Sequence, residues 1–243
     1  MAGTVAIVGA GPGLGAAVAR RFAREGFNAA LLARNPDTLA PVEAEVRRAA
    51  AAAGQPGRVM ALACDATDAQ AVTDTFRRIK ASMGPVSVLV YNAGSFARAG
   101  ILDLNPAQFE EAWRINCLGA LLCAQQALPD MVQAKRGTVL LSGATASLRG
   151  GAMFAGLAVG KFGLRALAQS MAREYGTQGV HVAHIVIDGQ IDSARSRSYS
   201  SPGRSPSTFL QPDALAEQYW QLHSQDPTVW TLELDVRPAV EKF

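Results

Sequence analysis

Thr4-Val-Ala-Ile-Val8 is followed by Gly9-Ala-Gly11-Pro-Gly13-Leu-Gly15: five β-favouring residues, then four glycines in seven positions. Leu14, Val18 and Phe22 recur beyond at four-residue spacing, which is one face of a helix. A strand, a glycine turn and a helix in that order aim backbone N–H groups at the positive end of a helix dipole, where a pyrophosphate binds. The strict G-x-G-x-x-G pattern fails because position 14 is Leu, and the spacing that fits is G-x-x-x-G-x-G through Gly9, Gly13 and Gly15. Glycines alone also serve any tight turn; the place between strand and helix is what points to a dinucleotide. Gly9, Gly11, Gly13, Leu14 and Gly15 are the candidate phosphate cradle.

The next apolar run, Phe27 to Ala33, ends in Ala33-Arg34-Asn35. An NAD site wants a carboxylate there to accept from the ribose 2′-hydroxyl. None is present, and a guanidinium suits a 2′-phosphate. Arg34 therefore favours NADP over NAD, the other reading being a solvated surface arginine.

Farther out, short apolar runs keep alternating with helical patterns. Strands are read at Arg58–Ala63, Val86–Tyr91, Thr138–Ser142 and Val180–Ile187, and helices at Ala44–Ala53, Ala69–Met83, Pro106–Met131 and Ala152–Gly176. Strands apolar along their whole length are covered on both faces. The expectation is an α/β fold: one Rossmann-type domain over 1–243, a doubly wound parallel sheet with helices on both faces. Ser193 to Ser207, rich in Ser, Arg, Pro and Gly, reads as a mobile loop and a candidate lid over the site. Pro212 to His223 reads as a short helix and Val229 to Val236 as an edge strand.

Composition removes several classes. The chain has 243 residues, 49% hydrophobic and 18% charged, which describes a packed globule. A net charge of +3 is too mild to expect nucleic acid or an anionic membrane as partner. No run approaches the ~18–20 apolar residues of a membrane span, and no signal peptide is visible. Cys64, Cys117 and Cys123 are unpatterned, which suggests a reducing, cytoplasmic setting and no disulfide framework. His181, His184 and His223 form no metal or nucleophile constellation and read as structural. No metal is expected.

Several motifs together resemble the short-chain dehydrogenase/reductase superfamily. They are the glycine turn, Asp65 after the third strand, Asn92-Ala93-Gly94 after the fourth, Asn116, Lys161, and Gly189-Gln190-Ile191-Asp192-Ser193 after the sixth strand. The resemblance implies that Asp65 and Ala66 hold the adenine and that Asn92, Ala93 and Gly94 pack beside the cofactor. It implies that Asn116 belongs to a proton relay, that Lys161 binds the nicotinamide ribose, and that Gly189, Ile191 and Ser193 lie at the carboxamide end. It also implies a homodimer or homotetramer through the helices carrying Trp113, Cys117, Leu121, Leu122 and Lys161.

The same resemblance exposes departures. The family's Tyr-x-x-x-Lys reads here as Leu157-Ala158-Val159-Gly160-Lys161, and the serine 13 residues before the tyrosine position is Ala144. Leu157 cannot exchange a proton. Val8 replaces a Thr, Pro12 brings no N–H to the phosphate turn, and Asp188 stands where Pro is usual. The chain thus reads as a divergent subgroup that keeps the lysine without the tyrosine. Lys161, Asn116 and Ser142 are the catalytic candidates, with Thr145 and Tyr199 as further donors. Arg195, Arg197 and Arg204 could attract an anionic substrate or be solvated charges. The expected function is an NADP(H)-dependent oxidoreductase reducing a small carbonyl-like or activated acceptor. The alternative is an inactive dinucleotide-binding sensor or subunit partner.

Overall fold

In a computed structural model, which describes residues 3–54, 57–198, 200 and 203–240, Val5 and Ile7 of the first strand pack into one layer of core, Ala6 and Val8 into another. The strand is buried on both faces, so the sheet it belongs to is the middle of three layers.

That sheet has seven parallel strands: β1 Thr4–Val8, β2 Asn28–Ala33, β3 Val59–Ala63, β4 Val86–Tyr91, β5 Gly137–Ser142, β6 Val180–Ile187 and, at the edge, Glu233–Val236. Their spatial order is β3-β2-β1-β4-β5-β6 and then the edge strand. The order reverses direction between β1 and β4, and a crevice opens there at the carboxyl ends of the strands. On one face lie α1 (Leu14–Arg24) and α2 (Pro36–Ala52); on the other lie α3 (Ala69–Met83), α4 (Pro106–Trp113), α5 (Gly119–Gln133) and α6 (Ala155–Tyr175). The α/β doubly wound expectation holds.

Four local readings differ. The second helix starts at Pro36, eight residues before Ala44, because Asn35 caps it by accepting from Asp37 N at 2.9 Å. The stretch Pro106–Met131 is not one regular helix: a π-turn, Arg114–Leu118, joins α4 to α5. The edge strand is shorter than read. The segment from Ser193 carries structure: β7 (Gln190–Ile191) pairs with β8 (Phe209–Leu210), and α7 (Ala194–Ser198) lies between them. Its polar residues satisfy one another, which is why composition alone made it look like plain loop.

The last helix, α8 (Pro212–His223), closes the first face by packing on α1. Trp220 meets Phe22 edge-on at 5.3 Å, and Arg21 donates to Glu217 at 2.6 Å while its guanidinium lies over the Trp220 ring. The edge strand, β9, is tied to α6 by Arg165, which forks onto both Glu233 oxygens at 2.7 and 2.8 Å. That fork holds the Glu233 carboxyl down at about 2. No helix among the described residues is long and apolar enough to cross a membrane.

Candidate active site

The glycine turn sits between β1 and α1 as expected. Gly9 has φ +90°, and a Cβ there would stand 2.5 Å from the backbone N of Ala93, so only glycine lets the β1 and β4 ends approach. Gly13 has φ +116° with nothing nearer its Cβ position than Ser193 Cβ at 3.9 Å. A Cβ on Gly11 would meet nothing within 4 Å. The turn is thus an open backbone cradle that side chains would fill. Leu14 and Gly15 are buried at the start of α1. Asn92 locks the turn in place by donating from Nδ2 to Gly9 O at 3.0 Å.

Arg34 is exposed just past the end of β2, and no acid is bonded to it among the described residues. Asp65, past the end of β3, is exposed and its Oδ1 accepts from Thr67 N at 2.9 Å and from the Thr67 hydroxyl at 2.8 Å. Ala66 beside it is buried. These positions lie on the β1 side of the crevice.

Asn116 and Lys161 meet at Gly94: a Cβ on that glycine would lie 3.2 Å from Asn116 Oδ1 and 3.7 Å from Lys161 Nζ. Asn116 is fully buried within the π-turn, and its amide donates to Ala112 O at 2.9 Å and to Ser95 O at 3.2 Å. Lys161 is buried on α6 and donates to the carbonyl oxygen of Ser142 at 2.8 Å. Burial pulls its ammonium down to about 8, with only Cys117 opposing it among the described residues.

Ser142 is placed differently from the role read for it. Its hydroxyl is 2.6 Å from the Tyr219 hydroxyl and donates to Asn92 Oδ1 at 3.0 Å. Tyr219 is fully buried, and burial pushes its phenol well up. The serine therefore knits β5 to β4 and α8, and its hydroxyl is committed to the interior. Sequence gave no signal for this pairing, since Tyr219 lies 77 residues away.

A cavity of about 650 Å³ opens beside these groups. Leu157, one helical turn before Lys161, lines it, and so do Ala144, Thr145, Gly189, Ile191 and Ser193. The positions flagged after β6 thus converge with the Ala144/Leu157 pair. The rest of the wall includes Phe96, Phe154, Ile187, Arg149 and Arg204, and among the described residues it contains no Asp or Glu. Phe96, Phe154 and Arg149 were not singled out by sequence; they lie on loops whose approach only the fold defines. Among the described residues three side-chain hydroxyls line the cavity. Ser193 and Ser196 are bonded to each other at 3.0 Å, with Ser193 capping α7. Thr145 donates to Asp188 Oδ1 at the end of β6, and the other oxygen of Asp188 lies 3.7 Å from Arg237. Tyr199 falls outside the described residues, as does the side chain of Arg195. Arg197 is paired bidentately with Asp192 at 2.5 and 2.7 Å.

The histidines lie behind the site. His181 donates from Nε2 to Thr231 O at 2.9 Å and stacks on Trp230. His223 pairs with the Thr138 hydroxyl at 2.9 Å. His184 is fully buried with neither ring nitrogen bonded to a described residue, and burial drives its pKa down to about 4.

Residues 3–201 match the short chain dehydrogenase family. A short-chain dehydrogenase from Rhodopseudomonas palustris is 37% identical and superposes with a TM-score of 0.81, covering 97% of this chain and 98% of that one. An alcohol dehydrogenase from the archaeon Thermococcus sibiricus, complexed with 5-hydroxy-NADP, superposes with a TM-score of 0.86 at 26% identity, covering 100% and 99% of the two chains. The 3-oxoacyl-[acyl-carrier-protein] reductase MabA of Mycobacterium tuberculosis is 31% identical over 195 residues, 80% of this chain and 72% of that protein.

Proposed function

The chain belongs to the short-chain dehydrogenase/reductase family, and on that premise we propose that it is an NADP(H)-dependent oxidoreductase that reduces a small carbonyl or otherwise activated acceptor through an altered acid/base site. One observation carries the cofactor half of this reading: the open glycine cradle, the acid-free Arg34 and the buried Lys161 all lie at the carboxyl end of one sheet. The residues present fit a dinucleotide phosphate. Gly9, Gly11, Gly13 and Leu14 would hold the pyrophosphate, Arg34 the 2′-phosphate, Asp65 and Ala66 the adenine end, and Lys161 the nicotinamide ribose. Ala93, Gly94, Gly189, Ile191 and Ser193 would flank the nicotinamide.

A reduced nicotinamide bound there supplies a hydride. The chain must then orient the acceptor and let a proton reach its oxygen. Leu157 and Ala144 offer neither a proton nor a hydrogen bond. Losing general acid catalysis costs about 10²–10⁴ in rate, which an acceptor already activated towards hydride tolerates. Thr145 meets a carboxylate, but its hydroxyl proton is given to Asp188, so its oxygen can only accept there and the proton that reaches the acceptor would come from solvent water. Lys161 contributes a nearby positive charge that stabilises negative charge developing at the site. Trp113, Val159 and Phe162 leave apolar area exposed on α4 and α6, which supports assembly of the chain as a homodimer or homotetramer through these helices.

Titration of the purified protein with NADPH and NADH, followed by calorimetry, tests the reading. NADPH is expected to bind at least about tenfold more tightly, the value of one charge-assisted phosphate contact, and Arg34→Asp to erase that preference. Binding of neither cofactor sinks the proposal. Binding without turnover on any carbonyl, imine or enone acceptor favours the sensor instead.

A further inference from the structure

We propose that the cavity takes a small oxo acid: a reducible carbonyl on an apolar body that carries a carboxylate held by Arg149, with Arg204 as a second, fixed positive charge. This rests on the oxidoreductase reading above and names the class of its substrate.

Charge is the first argument. Among the described residues two guanidinium groups line the cavity and no carboxylate does. Arg204 is held on neutral acceptors only: it donates to Gln190 Oε1, to the Thr208 hydroxyl at 2.8 Å and to Thr208 O, and lies over the Phe209 ring. Its N–H groups are largely spent, so it acts by charge more than by contact. Arg149 is exposed and its guanidinium makes no bond to a described residue, so its planar fork remains available for a carboxylate. The arginine of the same segment that does have an acid, Arg197, is neutralised by Asp192 and is not in the wall. A cavity with two uncompensated cations attracts an anion and rejects an amine or iminium ion.

Shape and polarity supply the second argument. Phe96 and Phe154 face each other with ring centroids 5.5 Å apart, and Leu157 and Ile187 continue the wall. Leu157 makes apolar the very position from which a phenol would otherwise point inward. Such a wall suits an aryl or alkyl body and offers little to a polyol, whose hydroxyls would lose water without gaining partners. The cavity reaches Ser193, which faces Gly13 of the cofactor turn, so its apolar stretch lies next to the cofactor crevice.

The test uses benzoylformate, benzoylacetate and 4-oxo-4-phenylbutanoate, each beside its methyl ester. These place the carboxylate one, two or three bonds farther from the carbonyl. Calorimetric affinity is measured with and without NADP⁺, and turnover with NADPH. At least one acid is expected to bind about tenfold or more tightly than its ester, as a charge-assisted pair provides. Arg149→Gln should bring that acid to the level of its ester, with NADP⁺ affinity as the control for folding. Arg204→Gln should weaken every acid by a smaller factor. Equal binding of acids and esters, discrimination that survives Arg149→Gln, or no binding of either set would overturn the proposal. Failure of NADP⁺ to bind, with acid-over-ester discrimination intact, would instead overturn the oxidoreductase reading and leave the oxo-acid cavity standing.

Discussion

Past the ends of β1 to β3 the chain presents glycine backbone, Arg34 and Asp65; past the ends of β4 to β6 it presents Phe96, Ala144, Phe154, Leu157 and two arginines. On the function proposed above, the first region would hold a dinucleotide through its backbone and Arg34. The second has neither the phenol nor the serine that the family resemblance leads one to expect, and it is lined instead by a charged and apolar wall. Cofactor capture and proton supply are thus separable properties of this scaffold. The first depends on backbone that few residues can replace, the second on side chains that a point substitution changes.

Restoring the phenol is the strongest way to break the contrast. Leu157→Tyr puts a hydroxyl one helical turn from Lys161, and turnover of simple ketones should rise by about 10²-fold or more. Steady-state kinetics with NADPH reads this; unchanged turnover with intact cofactor binding would mean that the second region is rebuilt and not merely depleted. Next comes the cradle itself. Gly13→Val imposes a β-branched side chain at φ +116° and should weaken NADPH binding by about 10–100-fold while costing about 1–3 kcal/mol of stability through backbone strain, since the only described atom near that Cβ is Ser193 Cβ at 3.9 Å. Fluorescence titration beside a circular dichroism melt separates the two effects.

A smaller effect sharpens the role of the lysine shared by both regions. With a pKa of about 8, its ammonium is mostly charged at pH 7 and mostly neutral at pH 9. NADPH affinity should therefore fall by up to about tenfold across that interval, and Lys161→Met should flatten the dependence. The smallest effect lies behind the site. His184 and His223 are each held near 4 by burial, below the ordinary value of 6.5. The unfolded chain binds more protons than the native one in that window, so stability is full above pH 6.5 and declines as pH falls towards 4. Replacing His184 by Leu removes one of these protons and a buried unsatisfied ring, and should raise stability at pH 5 by about 1 kcal/mol. Urea denaturation at pH 7 and pH 5 measures it.

What the sequence made readable follows from the same contrast. Fully apolar strands at regular spacing announce a doubly covered parallel sheet, and glycines between strand and helix announce the cradle; both are local patterns. The Ser142–Tyr219 bond and the Thr145–Asp188 bond join residues far apart in the chain, and no periodicity encodes them. Arg149, Phe96 and Phe154 became visible only once loops from different strands were brought around one void. The Ser193 segment misled by composition, because Ser193 and Ser196 bond to each other while Arg197 is held by Asp192 and Arg204 by Thr208.

The π-turn at Arg114–Leu118 carries a consequence for how this chain tolerates change in length. A π-turn amounts to one residue more than a regular helix would use at that point. Removing one residue there would let α4 and α5 close up into one regular helix, with each keeping nearly the face it now buries. What would be lost is the widened turn that presents Asn116 beside Gly94 and Lys161. A single-residue deletion at this turn should therefore cost the site more than it costs the fold, the reverse of a deletion inside regular α5.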